Sequence, residues 1–188
     1  MPLFVALLRG VNIGSAKRVP MEDLRSLLSE LGYTRVATLL NSGNAVFHAT
    51  KGSPAVHSAN VTAAIARTLK IEVPVIVKSV KQLATIVSEN PLSTQAKDHS
   101  QLLVAFTQDP RALLGLAGIE ALVRSSERFV LGRNAAYLLC VSGILESEAR
   151  AALLGKARHL VTTRNWATVL KLQALAGARD AYHPLRRP

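Results

Sequence analysis

Apolar positions mark out most of the secondary structure before any chemistry is considered. Leu3 to Leu8 is a continuous apolar run, the pattern of a buried strand, and the loop Arg9–Val19 follows it. Pro20 suits a first helical position. Leu24, Leu27, Leu28 and Leu31 then recur at i, i+3, i+4 and i+7, so they predict an amphipathic helix that Gly32 stops. Tyr33–Leu40 and Asn44–Ala49 read as two strands joined by Asn41-Ser42-Gly43-Asn44, where Gly and Asn tolerate the positive φ of a hairpin turn. Lys51–Ser58 reads as a polar loop. Val61, Ala64, Ile65 and Leu69 predict a second helix ending near Lys70, and Val73–Lys78 another strand. The order β-α-β-β-α-β is that of a ferredoxin-like unit.

A capping box at Ser79-Val80-Lys81-Gln82 opens a helix through Val87, and Asn90-Pro91 ends it. Ser93–His99 is polar and reads as a linker. The second half then repeats the order of the first. It runs from a strand at Gln101–Thr107 to a short helix capped at Asp109-Pro110 and reaching about Ala117. Strands at Arg128–Leu131 and Ala135–Val141 flank the turn Gly132-Arg133-Asn134, and Ser147–Leu154 is helical. Gln101-Leu102-Leu103-Val104-Ala105-Phe106 echoes Pro2-Leu3-Phe4-Val5-Ala6-Leu7. The expected fold class is α+β, two ferredoxin-like halves in tandem with a C-terminal helix. Residues 1–78 form the first unit, 79–99 a connecting helix and linker, and 100–188 the second unit.

Composition narrows the function classes. At 188 residues and 49% hydrophobic content the chain can bury a proper core, which argues against disorder. Its net charge of +11 favours polyanions, whether nucleic acid, anionic lipid or phosphorylated ligands. That surplus is spread evenly, with 10 basic and 5 acidic residues in 1–94 and 13 and 7 in 95–188, so neither half is the basic one. Solubility or a genomic bias toward Arg is the plainer explanation. Aromatics make up only 4%, which leaves few side chains for stacking bases.

Cys140 sits in an apolar run and reads as a packing residue; a lone cysteine allows no disulfide within the chain. The first apolar run is too short, and lacks a preceding basic segment, for a secretory signal, and no run approaches membrane-spanning length. A cytoplasmic location follows as the default. His48, His57, His99, His159 and His183 are scattered without ligand spacing, so neither a metal nor a cofactor is expected. No Gly-x-Ser-x-Gly elbow or Cys/His pair is evident, and the oligomeric state cannot be read.

Three constellations remain as candidate ligand sites. Arg9-Gly10-Val11-Asn12-Ile13-Gly14-Ser15-Ala16-Lys17-Arg18 lies between a strand and a helix, where phosphate loops occur. Its glycines are three residues apart and Lys17 comes late, so it matches neither the P-loop nor the dinucleotide fingerprint. Any anion there would rest on N–H groups near Gly10 and Gly14, with Arg9, Lys17 and Arg18 as charge partners. Otherwise the glycines and Asn12 only shape the loop. Ser42 and Asn44 offer uncharged hydrogen-bonding groups on the hairpin turn, though a turn alone also explains them.

The last constellation is Thr162–Thr168. Between Ala149 and Arg179 the chain has no Asp or Glu, and a helix is expected to start at Thr162-Thr163-Arg164-Asn165-Trp166, capped by Thr162 or Thr163. Arg164 would then put a cation at the positive pole of the helix dipole, and a bound anion among Arg164, Asn165 and Thr168 would relieve it. Lys156, Arg158 and His159 lie just upstream. The plain alternative pairs Arg164 with a distant carboxylate and makes Trp166 a core anchor.

Taken together, four ordered motifs resemble a bacterial family of unknown function, domain-of-unknown-function family 1697. They are Ala6-Leu7-Leu8-Arg9-Gly10-Val11-Asn12-Ile13-Gly14, Val19-Pro20-Met21-Glu22-Asp23-Leu24-Arg25, Asn41-Ser42-Gly43-Asn44-Ala45-Val46-Phe47 and Thr163-Arg164-Asn165-Trp166-Ala167-Thr168-Val169-Leu170-Lys171-Leu172. The resemblance implies a two-part α+β fold with ferredoxin-like character and no established activity. It also implies a polar signature at Arg9, Gly10, Asn12, Gly14, Ser42, Gly43, Asn44, Arg164, Asn165 and Trp166. Ser15 and Ala167 depart from the family pattern, which usually has Gly and Asn there.

The leading expectation is a binding protein for a phosphorylated or otherwise anionic ligand, nucleic acid included, acting through the Arg9–Arg18 loop and the Arg164–Thr168 segment. One alternative is an enzyme with a cofactor-free pocket in which Asn12, Ser42 and Arg164 position a substrate. The other is a purely structural or interaction role.

Overall fold

The computed structural model describes residues 1–12, 17–141, 147–155 and 161–181. Its first half runs β1 (Leu3–Leu8), α1 (Met21–Glu30), β2 (Thr34–Leu39), β3 (Asn44–His48), α2 (Pro54–Leu69) and β4 (Val75–Ser79). Helix α3 (Val80–Ser88) follows directly. The second half runs β5 (Leu102–Thr107), a 3-10 segment (Pro110–Leu122), β6 (Glu127–Leu131), β7 (Ala136–Cys140), α4 (Glu148–Gly155) and β8 (Val161–Asn165), then α5 (Trp166–Ala181). Each half closes an antiparallel four-stranded sheet, ordered β2-β3-β1-β4 and β6-β7-β5-β8. These are the same strand order written twice, so the tandem ferredoxin-like architecture is the fold.

The apolar run of β1 has a simple cause: both of its faces are covered. Phe4, Ala6 and Leu8 join Leu24, Leu28 and Ile65 in a core under α1 and α2. Leu3, Val5 and Leu7 face the other way, into a central core with Leu102, Val104 and Phe106 of β5. Strand β5 likewise turns Leu103 and Ala105 outward, onto the 3-10 segment and α4. Between the two sheets lie α3 and α5, which supply Leu83, Ile86, Trp166, Val169 and Leu172 to the central core. Helix α5 packs on β1, β2 and β3 of one sheet and on β5 and β8 of the other, so it joins the halves.

Local chemistry accounts for most element ends. The capping box at Ser79 and Gln82 forms as expected, with both reciprocal bonds present. Helix α2 starts earlier than the polar reading of Lys51–Ser58 implied. Ser53 accepts from the Val56 N–H and Pro54 takes a first-turn position where no N–H is needed. Pro20 stands one residue before α1 as its cap position. The 3-10 segment runs past Ala117 to Leu122, and the stretch read as a linker, Ser93–His99, buries Ala96 beside Leu92 in the central core.

The largest departure is at Thr162. Rather than opening a helix, Val161–Asn165 is strand β8, paired antiparallel with β5 in the register Val104↔Arg164 and Phe106↔Thr162. Val161, Thr162 and Thr163 are β-branched and complete a sheet edge that β5 would otherwise leave open, which outweighs a capping preference. Neither Thr162 nor Thr163 caps α5. Asn165 does so through its Oδ1, which accepts from the Thr168 N–H at 2.9 Å. Arg164 therefore precedes the helix, and the first turn carries no cation.

Candidate functional site

Strand alternation decides where Arg164 points. Thr162 and Arg164 share the face of β8 that looks toward the first half, and the guanidinium reaches the end of β1 and the β2–β3 turn. There it meets Asn44, which is fully buried at the start of β3. Nε donates to Asn44 Oδ1 at 2.6 Å. Nη1 donates to Thr162 Oγ1 at 3.0 Å and to the Thr163 carbonyl at 2.7 Å. Nη2 donates to the carbonyls of Leu8 at 2.7 Å and Ser42 at 3.0 Å, with a longer contact of 3.4 Å to Gly43. A guanidinium has five N–H bonds, and these partners use all of them. Burial pulls its pKa down to about 10, so it stays charged at neutral pH, held by carbonyl dipoles and side-chain oxygens without a carboxylate.

The other signature residues build the receiving surface. Asn44 Nδ2 donates to the Leu39 carbonyl at 3.1 Å and to Ser42 Oγ at 3.3 Å, which fixes the turn. Gly43 has φ +72°, and a Cβ there would lie 2.6 Å from both Leu8 Cβ and Val11 Cγ2, so only glycine lets the turn close on β1. Asn12, itself at φ +58°, donates from Nδ2 to the Val19 and Asn41 carbonyls at 2.8 and 2.7 Å. Its Oδ1 accepts from the Val19 N–H at 2.8 Å. The first loop is thereby tied to the hairpin turn. Gly10 turns that loop at φ +60°, Lys17 Nζ donates to the Glu72 carbonyl, and Arg18 is exposed. Gly14 falls outside the described residues, as do Lys156, Arg158 and His159.

Arg9 crosses between the halves on the other side of the same junction. Its Nη1 and Nη2 donate to the carbonyls of Val161 and Leu154, each at 2.7 Å. Here the guanidinium forms part of the wall of a cleft of about 290 Å³. Ser58 and Thr62 of α2, Val75 and Ile76 of β4, and Gln108 and Asp109 after β5 line it as well. This is close to the lower end of the size range of small-molecule pockets.

Residues that the sequence did not single out shape this cleft. Gln108 closes the open edge of β4: its Oε1 accepts from the Val77 N–H at 2.9 Å and its Nε2 donates to the Val77 carbonyl at 3.2 Å. Ser58 Oγ donates to the Val75 carbonyl at 2.6 Å. Lys78 is only 3% exposed, and its Nζ donates to the Gln108 carbonyl at 3.5 Å. A lysine ending the apolar run Val73–Val77 was the available signal for it. No group of three or more potential metal ligands occurs among the described residues. Nor is any of their helices long and apolar enough to cross a membrane.

Fold and junction together define a class: a tandem ferredoxin-like α+β protein whose halves are locked by an arginine from the last strand. The chain belongs to the DUF1697 family, proteins of unknown function, whose profile matches residues 1–137. Among solved structures it resembles the conserved bacterial protein SP0830 from Streptococcus pneumoniae, with a TM-score of 0.77 and 22% identity over 93% of this chain and 98% of that one. Protein BT0572 from Bacteroides thetaiotaomicron also aligns, at a TM-score of 0.22 and 9% identity over 90% of this chain and 96% of that one. No curated protein matches.

Proposed function

We propose that this is a cytoplasmic binding protein for a small ligand with an anionic group, held without metal in the cleft beside Arg9. The observation that carries this reading is the Arg9 guanidinium on the wall of a 290 Å³ cleft at the seam of the two halves, oriented by the Val161 and Leu154 carbonyls. An arginine fixed before a ligand arrives loses little entropy on binding it, and its charge draws a carboxylate or phosphate to the wall of the cleft. Arg164, Asn44, Asn12 and Ser42 then serve the site at one remove, by fixing how the halves meet.

A small ligand is favoured over nucleic acid by the aromatic side chains. Phe4, Tyr33, Phe47, Phe106, Tyr137 and Trp166 are all buried and Phe129 is half-buried, so the described surface offers no exposed ring on which bases could stack. The enzyme alternative has less support at the signature residues: Asn12 and Arg164, its proposed positioning groups, are committed to bonds within the chain.

Titration with inorganic phosphate and short carboxylates, followed by thermal denaturation, tests the proposal. A saturable rise in melting temperature that Arg9→Ala removes is the expected result. No rise with any small anion, together with salt-sensitive retention on a nucleic-acid resin, would transfer the function to polyanion binding.

A further inference from the structure

One hydrogen bond in the wall of the cleft constrains what its ligand carries besides an acid group. Ser58 of α2 and Val75 of β4 both line the cleft, and the Ser58 hydroxyl donates to the Val75 carbonyl at 2.6 Å. A serine has one proton to give. With that proton committed to the strand, Oγ meets a ligand only as an acceptor. Asp109 adds a second acceptor to the lining, and Arg111 answers its charge at 2.7 Å, so it does not cancel the pull of Arg9 on an anion. Thr62 stands one turn after Ser58 on the same face of α2, also in the lining, with a hydroxyl that both donates and accepts. The remaining wall is largely apolar, with Pro74, Ala112 and Val161 among its residues.

A polar group that gives up water without gaining a partner weakens binding, so Ser58 and Asp109 penalise any ligand that brings acceptors alone. A plain carboxylate is such a ligand. We propose that the cleft takes a short-chain carboxylate that also carries a hydrogen-bond donor, the pattern shared by small hydroxy acids and amino acids. The inference deepens the Arg9 reading and rests on it for the acid group. Arg9 draws the carboxylate, Ser58 Oγ accepts from the hydroxyl or ammonium, Thr62 serves either, and the apolar wall takes the carbon chain. A volume of about 290 Å³ keeps that chain short and the donor within a few bonds of the acid.

Calorimetric titration of the intact chain with four compounds of one carbon skeleton tests this: butanoate, 2-hydroxybutanoate, 3-hydroxybutanoate and 2-aminobutanoate. At least one donor-bearing compound is expected to bind about 5- to 10-fold more tightly than butanoate, the worth of one hydrogen bond that spares a buried acceptor. Which one it is separates a hydroxy acid from an amino acid. Arg9→Ala should weaken all four, and Ser58→Val, which removes the acceptor and sets methyl groups over the Val75 carbonyl, should bring the ratio to butanoate close to one. Equal affinity for the four in the unaltered chain, lost in Arg9→Ala, overturns the donor and leaves the Arg9 reading standing. A ranking by donor that Arg9→Ala does not weaken overturns Arg9 as the acid anchor, and a ranking that survives in Ser58→Val overturns Ser58 as the acceptor. Binding of none of the four overturns the proposed class, and the phosphate titration then judges Arg9 by itself.

Discussion

Two of the cations near the junction of the halves, Arg164 and Lys78, are treated by the chain in opposite ways. Arg164 is met by Asn44, Thr162 and a set of main-chain carbonyls until no N–H is left. Lys78 is 3% exposed and receives one long bond. The first is how a charge is used to hold a structure together: carbonyls from β1, the hairpin turn and β8 all converge on one rigid fork. The second is a buried ammonium left with a single long acceptor, which costs the fold solvation that it does not recover. A polar residue typical of a family is therefore weak evidence of a ligand until its donors have been traced.

Removing each cation should separate the two cases. Arg164→Ala strands the Leu8 and Ser42 carbonyls and Asn44 Oδ1 in a partly buried seam, and is expected to destabilise by roughly 2–4 kcal/mol in urea denaturation. A change below the error of that measurement would put Arg164 in the same class as Lys78. Gly43→Ala attacks the same junction from the turn, through two 2.6 Å overlaps and a left-handed backbone, and roughly 1–3 kcal/mol of stability should be lost.

Lys78→Met should go the other way, leaving stability unchanged or raising it by roughly 1 kcal/mol, because an apolar chain of similar length replaces a poorly solvated charge. The pH dependence follows from the sign of the shift. With the folded pKa lowered, the unfolded chain binds the extra proton between that value and 10.5, so Lys78 makes stability rise with pH across this window. In Lys78→Met that rise should shrink, which paired denaturation curves at pH 8 and 10 would detect.

The smallest effect is expected far from the seam, at His57. Its Nδ1 bonds the Tyr33 hydroxyl at 2.9 Å inside a cluster with Phe4 and Phe47, while Nε2 has no partner. Burial holds the folded pKa below 6.5, so stability is full above 6.5 and declines as pH falls from there toward the folded value. His57→Gln should flatten the curve between pH 7.5 and 5, and an unchanged slope would show that other groups govern acid sensitivity.

Much of this fold was legible in residue order. The continuous apolar run of β1, the leucine spacing of α1, the Asn-Ser-Gly-Asn turn and the Ser79–Gln82 box are short-range signals, and each named its element because the physics involved is local. The Ser53-Pro54 start of α2 is an equally local signal, a capping serine followed by a first-turn proline. Strand β8 was different. Thr-Thr-Arg-Asn before Trp166 satisfies a helix cap on paper, and only the unfilled edge of β5, nearly 60 residues earlier, makes it a strand.

The candidate site divides along the same line. The order of elements was enough for the two-part α+β architecture, and the family resemblance picked out Arg9, Asn12, Ser42, Asn44 and Arg164 as a set. Whether their donors face outward or inward depended on strand alternation and on how two sheets are brought together around α3 and α5. The pairing of Gln108 with β4 and the burial of Lys78 likewise join residues about 30 positions apart. A sequence states which groups are present, but a hydrogen bond is satisfied or left open by whatever the folded chain carries to within about 3 Å of it.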